Sequence, residues 1–209
     1  MLLAFDTATP HVTVALHDGD SIVASFDSAE TMRHGEMLAP GIRQVLADAN
    51  ATAADLTGIA VGVGPGPFTG LRVGLVTART LAFVRGIEVH GVCTLDILAA
   101  EAADAGLDEF VVATDARRKE VYLASYAGGR RMSGPEVLKP VDAKTDGPVV
   151  GRGGLLYPDA FPNPVGPEHP SASVLCDVVV NRRFEIVEPN PLYLRRPDAA
   201  EPGKPKRVS

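Results

Sequence analysis

The chain has 209 residues, 45% of them hydrophobic, enough to bury the core of one large domain or two small ones. A net charge of −6 and a pI near 5.3 speak against strong unaided binding to nucleic acid or an anionic membrane, because phosphate contacts need clustered Lys and Arg. Cys93 and Cys176 form no framework and no C-x-x-C pair, Asp6 interrupts the only N-terminal apolar run, and no stretch reaches the ~18 apolar residues of a membrane span. A reducing, cytoplasmic setting is therefore expected, with no membrane contact.

Leu2 to Phe5 reads as an apolar strand ending at Asp6, followed by the hydroxyl-rich turn Asp6-Thr7-Ala8-Thr9-Pro10. Val12, Val14 and Leu16 alternate as in a half-buried strand, and Asp18-Gly19-Asp20 predicts a hairpin into Ser21 to Phe26. A helix is expected over about His34 to Ala49, with Pro40 predicting a kink or a late start. Ile59 to Val63 predicts a buried strand that breaks at Gly64-Pro65-Gly66-Pro67. The spacing then turns helical over about Leu71 to Phe83, with Gly70, Gly74, Ala78 and Ala82 recurring every fourth residue. Glu88 to Val92 reads as a strand, and Thr94 is placed to cap a helix running to about Ala105, with Asp96 in its first turn.

The opening then recurs. Leu2-Leu3-Ala4-Phe5-Asp6 returns as Val111-Val112-Ala113-Thr114-Asp115, an offset of 109 that also matches Val12 with Val121, Val14 with Leu123 and Gly19 with Gly128. Looking for such repeats first guards against misassigning the fold. This one predicts an α/β chain of two related units: an N-terminal βββαβα domain over 1–106, a smaller C-terminal domain of related topology over 107–200, and a disordered tail over 201–209. Beyond Gly128-Gly129 the chain is rich in Pro and Gly, and only Val149-Val150 and a helix of Ser171 to Asn181 look regular.

A duplicated unit with an Asp closing each first strand suits folds that hold a nucleotide between similar halves. Asp6, Thr7, Thr9 and Asp115 are the candidate nucleotide-binding residues, with Gly153 in Gly151-Arg152-Gly153-Gly154 able to pass close to a base or phosphate. The competing reading has Asp6 and Asp115 capping turns through bonds to their own backbone. The glycine-rich turn before Gly70 could cradle a phosphate at a helix N-terminus, although it lacks the Gly-Lys-Ser/Thr ending of a P-loop. No metal site and no catalytic residue emerge. His34 has Leu38 rather than His one turn later, and there is no G-x-S-x-G elbow.

Three segments together resemble the TsaB (YeaZ) family: Leu3-Ala4-Phe5-Asp6-Thr7-Ala8-Thr9, then Val61 to Gly74, then Asp115-Ala116-Arg117 with Glu120-Val121-Tyr122. His34, Pro40 and Pro191-x-Tyr193-Leu194-Arg195 match in order. The resemblance implies a two-domain actin-like, sugar-kinase and heat-shock-protein fold with a reduced second domain. It implies a non-catalytic, activating subunit in bacterial tRNA threonylcarbamoyladenosine synthesis, paired with a catalytic TsaD-like subunit and a TsaE-like ATPase. tRNA would be met indirectly through the complex, and a homodimer is expected when the chain is alone. No cofactor is required by the chain itself, with ATP or ADP at or near the partner interface. That interface is expected at His34, Leu38, Gly70, Arg72, Gly74 and Ala78, where the small residues would admit a partner helix. The competing readings are a phosphotransferase on the same fold and a glycoprotease-like peptidase.

Overall fold

The computed structural model describes residues 1–28 and 33–195, so the expected tail over 201–209 lies outside the described residues. Two five-stranded sheets form the frame. The first contains β1 (Leu2–Asp6), β2 (Thr13–His17), β3 (Ile22–Asp27), β4 (Gly58–Gly62) and β5 (Glu88–Val92), in the order β3-β2-β1-β4-β5. The second contains β6 (Glu109–Asp115), β7 (Val121–Ala127), β8 (Arg130–Leu138), β9 (Val149–Val150) and β10 (Pro164–Val165), in the order β10-β9-β6-β7-β8. Read from the other edge, the second order is that of the first. In both sheets the first three strands pair antiparallel and the last two join in parallel. Short turns permit the antiparallel pairs, whereas parallel neighbours need longer crossovers.

Asp6 and Asp115 are the last residues of β1 and β6, the central strand of each sheet. Each carboxylate accepts a bond from the backbone N–H two residues on, Ala8 at 2.7 Å and Arg117 at 2.8 Å. The duplication is therefore structural. Its offset is not uniform, however. Asp6 lies opposite Thr13 but Asp115 opposite Val121, so the second turn is one residue shorter and the equivalent of Val121 is Thr13, not Val12.

Five α-helices and two short 3-10 turns complete the described residues; the α-helices are α1 (His34–Asp48), α2 (Phe68–Arg85), α3 (Thr94–Asp104), α4 (Arg152–Leu156) and α5 (Ala172–Val180). Strand alternation sorts the first sheet's two faces. Leu3, Phe5, Ile59 and Val61 pack with Leu38, Ile42 and Val45 of α1 and Leu71, Leu75 and Ala78 of α2. On the other face Ala4 lies in register with Ala15 and Ala60, making a low alanine floor. Ile97 and Ala100 of α3 and Ala172, Leu175 and Cys176 of α5 settle on that floor.

Thus α5, expected to belong to a unit over 107–200, packs on the first sheet. Other contacts also join the halves. Tyr126 of β7 donates its hydroxyl to Asp96 of α3 at 2.8 Å, and Gly91 of β5 exchanges both backbone bonds with Val187 at 2.9 Å.

Pro40 lies inside α1, which starts at His34 rather than after the proline. The N-cap of α3 is Cys93; Thr94 is the first helical residue and directs its hydroxyl elsewhere. β8 was not expected, because Gly134-Pro135 interrupts its pattern. It is an edge strand whose pairing with β7 carries register shifts, the setting in which a sheet tolerates proline.

Candidate functional site

The turns after β1 and β6 and the Gly64–Gly70 turn lie at neighbouring ends of the two sheets. Asp6 sits beneath this meeting place with no exposed surface. One oxygen accepts from Ala8 N, and the other accepts from the Thr94 hydroxyl at 2.7 Å. Thr94 Oγ1 in turn accepts from Gly64 N at 3.2 Å. A Cβ on Gly62 would land within 1.7 Å of the same carboxylate, so only glycine fits there. Burial pushes the Asp6 carboxyl above its ordinary value, and the bonds from Thr94 and Ala8 oppose that rise. Asp6 thus fastens β1 to the Gly64 turn and the start of α3, instead of facing an open cleft where a phosphate or metal would sit.

Thr7 is also committed within the fold. Its buried hydroxyl donates to Gly70 O at 2.8 Å. A Cβ on Gly70 would approach Thr7 O to 2.4 Å, and one on Gly74 would approach Thr7 Oγ1 to 2.4 Å. This corrects the expectation of a partner interface at Gly70, Gly74 and Ala78. All three are buried in their own chain: the β1–β2 turn leaves no room for a side chain at Gly70 or Gly74, and Ala78 packs into the core beneath the first sheet. Leu38 is a core residue of α1, and buried His34 bonds through Nε2 to Thr9 O at 2.6 Å. Of the six expected interface residues, Arg72 alone is exposed.

The opposite face of α2 is turned outward. Val76, Phe83 and Val84 are 60%, 89% and 72% exposed, a run of apolar side chains on a helix of 18 residues. Helical periodicity left the choice of face open, because the small ridge and the pair Val76 and Phe83 both recur at whole turns of the helix.

Thr9 and Asp115 do come together. They line a small cavity with Arg117, Arg152, Glu168 and His169. Arg117 Nη1 lies 3.5 Å from Asp115, Arg152 pairs with Glu168, and His169 Nε2 lies 3.4 Å from the same Glu168. His11 lies against His169 with ring centres 3.9 Å apart and the ring planes tilted by 34°. Burial and His11 push the His169 imidazole down to about 4. Thr9 Oγ1 and His169 Nδ1 are buried without a hydrogen-bond partner. Gly153 is not a ligand-facing residue of this cavity. Its Cβ would meet Ala113 O at 2.7 Å, so it lets α4 sit directly on β6.

Beyond Pro67 and Arg117 a larger cavity of about 200 Å³ opens, lined by Phe68, Tyr122, Tyr193, Arg117, Arg118 and Arg195 among others. Sequence reasoning assigned these residues no role, although Arg117, Tyr122, Tyr193 and Arg195 lie in the motifs that carry the family resemblance. Phe68 stacks on Tyr193 at 5.1 Å, and the Arg72 guanidinium lies 3.8 Å over the Phe68 ring. Arg195 pairs with Glu120 and donates to Ala116 O at 2.9 Å, which ties the β6–β7 turn to the end of the described chain. Within that turn Arg117, Arg118 and Lys119 all adopt left-handed backbone angles, φ 62°, 55° and 59°, closed by Glu120 N bonding Arg117 O at 3.0 Å.

Two sheets of the same strand order, each with a central strand ending in Asp, place the chain in the actin-like, sugar-kinase and heat-shock-protein class of folds. Residues 28–148 match the family described as TsaD, tRNA N6-adenosine threonylcarbamoyltransferase. An uncharacterised protein of Mycobacterium tuberculosis is 39% identical over 201 residues, covering 95% of this chain and 93% of that protein. The tRNA threonylcarbamoyladenosine biosynthesis protein TsaB of Escherichia coli is 35% identical over 126 residues, 60% of this chain and 54% of that protein, so the match spans about half of that relative. The structure of YeaZ from Pseudomonas aeruginosa superposes with a TM-score of 0.77 at 31% identity, covering 92% of this chain and 99% of that one. The chain belongs to the TsaB (YeaZ) family.

Proposed function

We propose that the chain is the non-catalytic, activating subunit of a cytoplasmic complex that makes threonylcarbamoyladenosine on tRNA. It docks a catalytic TsaD-like subunit on the outer face of α2, a TsaE-like ATPase joins the pair, and tRNA is met through the complex. The exposed stripe of Val76, Phe83 and Val84 carries this reading, since an apolar run of that kind on a rigid helix suits a partner helix. The helix is held from behind, because Thr7 bonds Gly70, Gly70 and Gly74 lie directly on the β1–β2 turn, and Ala78 packs in the core. Such anchoring lets α2 present its outer face without reorganising, which lowers the cost of association. The same face would pair with a second copy when the partner is absent.

The site chemistry favours binding over catalysis. Both Asp6 oxygens are engaged inside the fold, which argues against a phosphotransferase acting through that residue. Cys93 and Cys176 are buried, and burial pushes both thiols up to about 12, far from a reactive thiolate, which argues against a cysteine peptidase. The test is co-purification of wild type and Phe83→Asp with the TsaD-like and TsaE-like proteins, followed by reconstituted tRNA modification. Wild type should be captured and stimulate modification, and Phe83→Asp should do neither. Capture of Phe83→Asp at the wild-type level would overturn the assigned face, and modification proceeding equally well without this chain would overturn the activating role.

A further inference from the structure

The outer face of α2 carries charge as well as apolar surface. The helix holds Arg72, Arg79 and Arg85 and no acid, in a chain whose net charge is −6. Arg72, Val76, Arg79 and Phe83 follow one another at intervals of four, three and four residues, and all of them are exposed. That is the spacing of a heptad seam. Cation and apolar side chain therefore alternate along one line of the helix. Arg85 falls on the far side, about two and a half turns beyond Val76, where its Nη2 donates to Ala54 O at 3.0 Å.

Neutral groups hold both seam arginines in place. The Arg72 guanidinium lies 3.8 Å over the Phe68 ring. Arg79 donates through Nη2 to Pro189 O at 2.5 Å and to Asn190 Oδ1 at 2.6 Å. Its Nε and Nη1 have no partner among the described residues. Glu188, the acid next to Pro189, pairs with neither arginine. Two fixed positive charges thus flank Val76 and Phe83 with no carboxylate of this chain to neutralise them.

We propose that this seam selects its partner by charge. It takes a helix whose own seam alternates apolar side chains with Asp or Glu, and it disfavours a second copy of this chain. The proposal rests on the reading of α2 as the docking face. A guanidinium can meet a carboxylate through two parallel bonds, which fixes register as well as adding attraction. The apolar anchors supply affinity, and the charges decide between partners. A second copy would bring two more guanidiniums and no carboxylate to the same contact, and like charges brought together weaken association. Self-association is therefore the weaker pairing, and the acidic partner displaces it.

Sedimentation of the full-length chain, alone and with the TsaD-like protein, at about 50 and about 500 mM NaCl tests this, because salt screens exposed charges. The mixed complex should be the tighter one at low salt and should weaken about tenfold or more across that range, whereas self-association should strengthen. At low salt Arg72→Glu should lower partner affinity about tenfold and leave Tm within a degree or two, and Arg72→Lys, which keeps the charge, should stay within about threefold of wild type. Wild type and Arg72→Glu should pair with each other more tightly than either pairs with itself. A mixed complex indifferent to salt, self-association tighter than the mixed complex at low salt, or full capture by Arg72→Glu would each overturn the charge rule. Phe83→Asp keeps this separate from the docking face. Lost capture by Phe83→Asp beside full capture by Arg72→Glu removes the charge rule and leaves the face, whereas full capture by Phe83→Asp removes both.

Discussion

Thr94 donates its hydroxyl to the Asp6 carboxylate across 2.7 Å, which joins the end of the central strand β1 to the first residue of α3. The bond explains several local choices at once. Gly62 must lack a side chain to make room for the carboxylate, and Thr94 serves as a link between elements where a helix cap was expected.

Asp6→Asn tests this role. Burial raises the Asp6 carboxyl above its ordinary value of 3.8, so the folded chain holds that proton more tightly than the unfolded chain. Stability tied to the group is present below the unfolded value and is lost as pH rises through the raised folded value. Asparagine keeps the oxygen that accepts from Ala8 and does not ionise. Urea midpoints of the two proteins should therefore shift in favour of asparagine as pH increases from about 4 to about 8. A constant difference between the two curves would show that Asp6 does not titrate in this way.

Gly74→Leu and Phe83→Asp should have opposite consequences. A side chain at Gly74 enters the space of Thr7 Oγ1, so Gly74→Leu should destabilise the isolated chain by about 1–3 kcal/mol or more. Phe83 is 89% exposed, so Phe83→Asp should leave Tm within a degree or two while weakening partner capture by ~30-fold or more, as for an interface anchor worth ~2 kcal/mol. Thermal melts and pull-downs distinguish the two. A stable Gly74→Leu protein that fails to bind would return the interface to the small-residue ridge.

His169 gives an acid-side signature. Its imidazole is pushed down to about 4, so the unfolded chain, near the ordinary 6.5, binds the proton more tightly. Stability associated with His169 is present above 6.5 and is lost as pH falls from there toward about 4. The groups facing it are His11, Glu168 and Arg152. His169→Gln should flatten the wild-type loss over that window, read as the urea midpoint against pH. An unchanged slope would place the acid sensitivity in other groups.

Both cysteines should resist thiol reagents in the folded state. Cys93 and Cys176 are buried and their thiols lie near 12, so at about pH 8 almost none is thiolate. Ellman's reagent should report essentially no thiol until denaturant is added and two afterwards. Rapid labelling of native protein would contradict this burial.

The strand–Asp–turn repeat was legible because Asp and apolar phase recur together at one offset, and the matching sheet orders show what that recurrence builds. Its second turn was misaligned by one residue, since losing a single residue between β6 and β7 leaves little trace in composition. The helices α1, α2 and α5 follow from periodicity, but periodicity cannot say which stripe of α2 faces inward. That choice depends on Thr7, more than sixty positions away, whose turn leaves no room for side chains at Gly70 and Gly74. The roles of Asp6 and Gly153 stayed open in the sequence for a related reason. A buried strand-end carboxylate and a tightly packed glycine resemble ligand-binding residues until their neighbours are in place. The cavity between Phe68, Arg118 and Tyr193 was invisible because three distant segments build it.

The alanine floor of the first sheet has a consequence for synthesis on the ribosome. Ala4, Ala15 and Ala60 emerge early, yet part of their cover, Ala172, Leu175 and Cys176 of α5, belongs to one of the last described elements to be translated. A nascent chain that has just completed α3 therefore carries an apolar sheet face only part of whose partners exist. Because translation delivers the N-terminal half first, we expect chains arrested before Ala172 to be cut readily by protease and held by chaperones, and chains arrested well beyond Val180 to resist. Equal resistance of the shorter chains would show that the first half closes its own core without α5.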